Sequence, residues 1–267
     1  MPSQALHAVT AYLDQYLRIH EVPDEPNAVN GLQVENSSGQ VTRIVAAVDG
    51  SLATIRSAGR ALGRSGSAGT PADSPLLLVH HGLLWEGNVP LAGRRYQRIR
   101  ALFQCDIALY AAHIPLDLHA EVGNNAVLAR QLGLASPEPF DLYRGVPLGV
   151  QGILEPAEPR EALVARVERL LGSRPRMIPG GPALSRRVGI ITGGAGGRIG
   201  AAHAAGLDTY LTGEGAHHTF FDAMELGVNV IYAGHYATET IGVKALAAHL
   251  SDRFGLPWEF HDHPTGL

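Results

Sequence analysis

One pattern occurs twice in this chain. Leu109-Tyr110-Ala111-Ala112-His113, with Asp117 four residues after the histidine, is echoed by Ile231-Tyr232-Ala233-Gly234-His235 with Glu239. Upstream of each lies another apolar run that stops at polar residues. Leu76-Leu77-Leu78-Val79 ends at His80-His81, and Thr209-Tyr210-Leu211-Thr212 ends at Gly213-Glu214. Short continuous apolar runs of this kind read as strands buried on both faces. Two copies of such a unit predict an α/β fold of two similar lobes. Histidines and acids at the strand ends of both copies point to a metal site shared by the lobes.

The intervening segments fit this plan. Leu6, Val9, Leu13, Tyr16 and Leu17 recur at helical spacing over residues 4–20, and Pro23 and Pro26 close that helix. A turn at Asn30-Gly31 runs into a short extended segment through Val34. A strand over 43–48, a helix over 51–62 capped by Ser51, the strand at 76–79, a helix over 96–103 and a strand over 107–111 alternate as a parallel sheet requires. The Gly/Ser/Ala-rich stretch 64–74 reads as a flexible surface loop. Gly123-Asn124-Asn125 opens a helix over 126–132, and prolines at 137, 139, 147, 156 and 159 mark the change to the second region. Strands are expected there at 150–154, 176–178, 188–192, 209–212 and 228–232, with helices at 160–171, 198–205 and 218–226. A helix over 240–253 and a strand over 258–261 close the chain. The expected first lobe is 1–127 with 232–267, and the second is 128–231.

Composition removes several classes. The 267 residues carry a formal net charge of -4 without a basic run, which argues against nucleic-acid binding. Hydrophobic residues make up 45% and charged residues 17%, ordinary for a globular protein with a real core. No apolar run reaches the roughly 18 residues that span a bilayer, and no signal-peptide pattern opens the chain, so no membrane partner and a cytoplasmic location are expected. The single cysteine, Cys105, excludes an intrachain disulfide framework and reads as a small buried hydrophobe. Thirteen histidines, several beside Gly, Asp or Glu at strand ends, favour nitrogen and oxygen ligation over sulfur.

The candidate ligands are therefore His80, His81, Asp117, His235 and Glu239. In open α/β sheets ligands bind beyond the carboxyl ends of strands, where the His80-His81 pair sits. A helix starting near residue 237 would turn His235 and Glu239 toward one point. Five ligands suffice for two divalent ions only if a carboxylate bridges them. His113, equivalent by position to His235, either ligates or lines the pocket as an acid/base or substrate contact. Glu214 and the His217-His218 pair read as pocket rim, and Tyr110 and Tyr232 as packing residues. Thr192-Gly193-Gly194-Ala195-Gly196-Gly197 is either an anion cradle of backbone N–H groups or a tight turn packed closely on a helix, the latter favoured. It is neither a Walker A loop nor a dinucleotide fingerprint. Gly-x-Ser-x-Gly is absent.

Asn30-Gly31-Leu32-Gln33-Val34, Val79-His80-His81-Gly82, His113-Ile114-Pro115-Leu116-Asp117, Gly123-Asn124-Asn125-Ala126, Thr212-Gly213-Glu214 and Gly234-His235-Tyr236-Ala237-Thr238-Glu239 together resemble the Nif-three-like family. Its members are filed as GTP cyclohydrolase I type-two homologues. The resemblance runs in order from about residue 5 to 262. It implies two α/β lobes with a dinuclear metal centre in the cleft between them and assembly into a toroidal homohexamer. It further implies that His81 and Asp117 bind one ion, His80 and His235 the other, and Glu239 bridges. The ions would be zinc, manganese or iron. Two functions follow: a metal-dependent hydrolase of a small phosphorylated or nucleotide-like molecule, with His113 or Glu214 moving protons, or a non-catalytic metal-binding scaffold that binds a partner. The cyclohydrolase reaction is not assigned by these residues.

Overall fold

The computed structural model describes residues 2–61 and 73–267, and the chain divides into two compact units. The first comprises residues 1–116 and 243–263, the second 117–242 and 264–267. The first segment runs β1 (Gln4–Ala5), α1 (Leu6–Tyr16), β2 (Gly31–Val34), β3 (Gln40–Val41), β4 (Arg43–Asp49), α2 (Leu52–Ala61), β5 (Pro75–His81), α3 (Gly93–Cys105), β6 (Ala108–Ala111) and α4 (Ile114–Asp117). Helix α1 stops at Leu17 because Arg18 takes a left-handed conformation (φ 55°), several residues before the prolines expected to end it. Ser51 Oγ accepts the Thr54 N–H at 3.1 Å, the cap expected from the sequence. Most of the expected loop at 64–74, and Leu62 at the expected end of α2, lie outside the described residues.

Strands β4, β5 and β6 pair in parallel, and β2 adds antiparallel to β6. Leu76, Leu77, Leu78 and Val79 are fully buried, as expected for a strand covered on both faces. Ile55 of α2 and Leu102 and Cys105 of α3 pack on Val45, Leu77, Val79 and Leu109 in this core. Each such aliphatic side chain contributes about 1.5–3 kcal/mol on burial. One correction concerns β5, which extends through both histidines: His81 pairs in register with Asp49 of β4. The sequence places the pair just beyond the strand, yet the ladder persists to the last histidine.

The second unit contains α5 (Asn124–Gln131), β7 (Ala135–Tyr143), β8 (Val146–Pro159), α6 (Arg160–Leu171), β9 (Arg176–Pro179), β10 (Leu184–Ile190), α7 (Ile199–Ala204), β11 (Thr209–Thr212), α8 (Thr219–Leu226) and β12 (Asn229–Tyr232). Its six strands run in the order β7-β8-β10-β11-β12-β9, with β10, β11 and β12 parallel and the rest antiparallel. Pro137 and Pro139 lie inside β7, where the sequence suggests a change of region. An edge strand tolerates proline because one side of its ladder is open. Phe140, Ile178, Ile191, Leu207, Tyr210 and Val230 form this unit's core.

The last helix, α9 (His235–Phe254), begins in the second unit and continues in the first, where β13 (Trp258–Phe260) adds in parallel to β4. The first sheet is then β13-β4-β5-β6-β2. In both units a parallel strand pair, β5 with β6 and β11 with β12, leads to a histidine and a helix. The units divide at 116/117 and 242/243, outside the expected 127/128 and 231/232. Side-chain amides account for this. Asn125 donates to Leu148 O at 2.8 Å and accepts the Thr192 N–H at 2.8 Å, while Asn124 Oδ1 accepts the Gly242 N–H at 2.7 Å. Among the described residues no helix is long and apolar enough to cross a membrane.

Candidate metal-binding residues

In the first unit, β5 delivers His80 and His81, and the segment after β6 delivers His113. One ligand atom from each of the three lies within 4.8 Å of the others. Their ring centroids are 4.8 to 5.6 Å apart. Each imidazole is oriented through Nδ1. His80 Nδ1 donates to Ala112 O at 2.8 Å, His81 Nδ1 to Asp49 Oδ1 at 2.9 Å, and His113 Nδ1 to Asp24 Oδ1 at 2.7 Å. A carbonyl or carboxylate oxygen only accepts here, so the proton is assigned to Nδ1 and the lone pair to Nε2. That tautomer is the one a metal-ligating histidine uses when an oxygen holds its other nitrogen.

The Asn30-Gly31-Leu32-Gln33 segment explains how these rings are held. Asn30 Nδ2 donates to Asp24 Oδ2, and Asn30 Oδ1 accepts the His113 N–H, both at 2.8 Å. Gln33 Oε1 accepts the Leu83 N–H at 2.7 Å, and its amide lies where a Cβ on Gly82 would be, so a side chain after the histidine pair would displace Gln33. Burial pushes the Asp24 carboxyl up, but interactions with His113 and Asn30, hydrogen bonds foremost, outweigh it and hold the group below its ordinary value. Asp24 is therefore an ionised, half-enclosed anchor for His113.

In the second unit, α9 starts at His235 itself, earlier than the expected 237 or 240. His235 and Glu239 thus share one helical face, with Nε2 and Oε1 3.1 Å apart. Glu214, after β11, accepts from His235 Nδ1 at 2.7 Å. The hydrogen bond to Glu239 raises the His235 pKa, burial opposes it, and the charges of Glu239 and Glu214 add to the rise, carrying it up to about 9. His235 so has the same arrangement as His81 and His113: a carboxylate on Nδ1.

The glycine-rich segment makes a tight turn at Gly193, whose N–H is taken by the protein itself. Gly193 (φ 70°) donates its N–H to Thr238 Oγ1 at 3.0 Å and accepts the Gly213 N–H at 2.9 Å. A Cβ on Gly193 would collide with Glu239 Oε1, and one on Gly213 would stand 2.7 Å from His235 Cα. These two glycines let the loops after β10 and β11 lie directly against the His235–Glu239 turn.

Asp117 has partners within the second unit. Its Oδ1 accepts from Asn124 Nδ2 at 2.8 Å, with Thr192 Oγ1 at 3.4 Å. The histidine group of the first unit is completed by His113. Tyr110 is buried and donates to Asp14, and Tyr232 hydrogen-bonds Thr219, as packing residues do. Sequence reasoning misses Asp24 and Asp49. No local signal marks them, because they lie 89 and 32 positions from the histidines they hold.

The donor set fits divalent metal: imidazoles with the tautomer fixed, carboxylates, and no thiolate. Three histidines in the first unit, and a histidine–glutamate pair in the second, are groups of a mixed α/β fold that could hold a metal ion. The chain belongs to the Duf34/NIF3 (NGG1p interacting factor 3) family, which it matches over residues 5–265. It is 46% identical over 256 residues to a Deinococcus radiodurans protein called GTP cyclohydrolase 1 type 2 homolog, covering 96% of this chain and 92% of that one. The crystal structure of TTHA1606 from Thermus thermophilus is similar at 43% identity and a TM-score of 0.85, covering 99% of this chain and 100% of that one. Protein ybgI, described as of unknown function, is similar at 33% identity with a TM-score of 0.87, covering 99% and 100%.

Proposed function

We propose that the chain binds two divalent ions and hydrolyses a small phosphorylated or nucleotide-like molecule. The assignment keeps His81 and Asp117 on one ion, His80 and His235 on the other, and Glu239 as the bridge. The observation that carries it is the shared habit of the three ligand imidazoles: His80, His81 and His235 each have Nδ1 on an oxygen acceptor. Structural histidines need no such uniform orientation, whereas ligands do. Divalent ions held there would polarise a substrate oxygen and activate water near neutral pH.

The chain's own residues supply the rest. Asp49 and Glu214 hold the rings of His81 and His235 and increase their basicity. His113, held by the ionised Asp24, keeps Nε2 available to take and return a proton at the substrate. Trp85 packs edge-on against His113 at 4.9 Å and limits its rotation. We assign His113 to proton transfer and Glu214 to orientation of His235. The native assembly in this reading is a homohexamer in the cytoplasm.

The test is turnover. Zinc-, manganese- or iron-loaded protein is incubated with nucleotides, cyclic nucleotides and phosphodiesters, beside the Glu239→Ala variant. Hydrolysis of at least one class, lost in the variant, supports the reading. No turnover across the panel by protein that binds two ions per chain would favour the scaffold instead.

A further inference from the structure

The second unit carries a cleft of about 870 Å³ that the metal assignment does not use. Small-molecule sites typically enclose roughly 300–1,000 Å³. Its lining includes Arg174 and Arg176, the latter in edge strand β9, in register opposite Tyr232 of β12. His217 and Phe220 also line it; Phe220 is 46% exposed, with one side of its ring edge-on to Phe221 at 5.6 Å. Glu214, Tyr232 and the C-terminal Leu267 complete much of the lining. No carboxylate pairs with Arg174 or Arg176 among the described residues, although other arginines such as Arg160 and Arg166 have one.

The chemistry of this lining is specific. Two guanidinium groups two residues apart offer paired N–H donors, the arrangement that recognises phosphate. An exposed aromatic ring offers a stacking face to a planar heterocycle and adds no sequence of charges that would favour an acidic peptide. The lining includes Glu214, whose carboxylate holds His235 at 2.7 Å, so a ligand seated in the cleft would lie beside the proposed metal-binding residues.

We infer that this cleft binds a nucleoside monophosphate, its phosphate on Arg174 and Arg176 and its base on Phe220. This deepens the hydrolase reading and rests on it for the identity of the reaction, but binding is a separate event from metal loading.

The experiment is titration calorimetry on the full-length, metal-loaded protein with AMP, GMP, ribose 5-phosphate and adenosine as probes. Metal content and sedimentation are measured on every sample. Both nucleotides should bind, and both should exceed ribose 5-phosphate and adenosine, which each lack one recognised part. Arg174→Ala/Arg176→Ala should weaken nucleotide binding on the order of tenfold or more, the worth of a lost hydrogen bond to a charged group. The double lysine variant should recover part of that loss, and Phe220→Ala should weaken the nucleotides while sparing ribose 5-phosphate. Metal content should stay unchanged throughout. Equal nucleotide affinity in the wild type and the double alanine variant would overturn the inference, as would absence of nucleotide binding by correctly folded wild type. A changed oligomeric state in these variants, with no nucleotide bound, would overturn it in favour of a protein interface. Nucleotide binding by wild-type protein that takes up no metal would leave this site standing, and the missing metal would count against the metal reading alone.

Discussion

His235 Nε2 lies 3.1 Å from Glu239 Oε1, one turn apart at the start of α9. The contact exists because three things coincide: the helix starts at His235, Gly193 has no side chain to displace Glu239, and Glu214 fixes the other ring nitrogen. Metal ligation by this pair requires His235 to give up the proton that Glu239 now shares.

That requirement gives a pH dependence. The folded-state pKa of His235 is raised from 6.5 to about 9. In metal-free protein the stabilisation from the charged ring is fully present below about pH 6.5 and is lost as pH rises through about 9. Metal competes with that proton, so its apparent affinity should increase between those limits, with release of a proton. Calorimetry in buffers of different ionisation enthalpy reads the proton directly. Affinity flat from pH 6.5 to about 9, with no proton released, would remove His235 from the ligands.

The oxygen acceptors behind the rings should matter nearly as much as the ligands. Asp49→Asn and Glu214→Gln keep the shape but weaken the pull on Nδ1–H, and each should lower metal affinity by about 10–100-fold. Competition with a chromogenic chelator measures it. Unchanged affinity in both variants would mean that the shared Nδ1 orientation serves packing only.

Gly193→Ala tests the turn. The new Cβ would collide with Glu239 Oε1 and would occupy a left-handed conformation. The fold should lose roughly 1–3 kcal/mol, read as a lower Tm, and Glu239-dependent metal binding should fall further than Tm alone accounts for. A variant with wild-type metal content would show that the turn can relax away from Glu239.

Much of this arrangement is legible in the residues themselves. The boundaries of α6 and β11 coincide with the expected ones, since a strong amphipathic period and a short apolar run leave little choice. The repeat of strand, histidine and acid marks His113 and His235 as equivalents. What stays hidden is non-local. Asp24 and Asp49 reach their histidines only through strand order and a long loop, and no spacing rule encodes such a meeting. Propensity sets the start of α9 too late because Thr238 and Thr240 are weak helix formers. In the structure Thr238 Oγ1 accepts from Gly193 and donates to His235 O, tying the first turn down by tertiary bonds that outweigh propensity. Asn30 is likewise opaque in sequence: it reads as a turn residue, and it is the clamp between Asp24 and His113.

His113→Ala separates proton transfer from ligation. If His113 moves protons as assigned, the variant should lose on the order of 10²–10⁴-fold in turnover while retaining its metal. Its pH–rate profile should also lose one limb. Loss of metal in step with activity would instead make His113 a ligand, joining His80 and His81 in the group they already form.

Elemental analysis of purified, metal-loaded protein tests the central claim most directly. The account predicts two divalent ions per chain in the wild type, loss of both in Glu239→Ala, and weakening of one site more than the other in Asp117→Ala. Zero or one ion per chain, with all five ligands intact and the protein folded, would contradict the dinuclear centre.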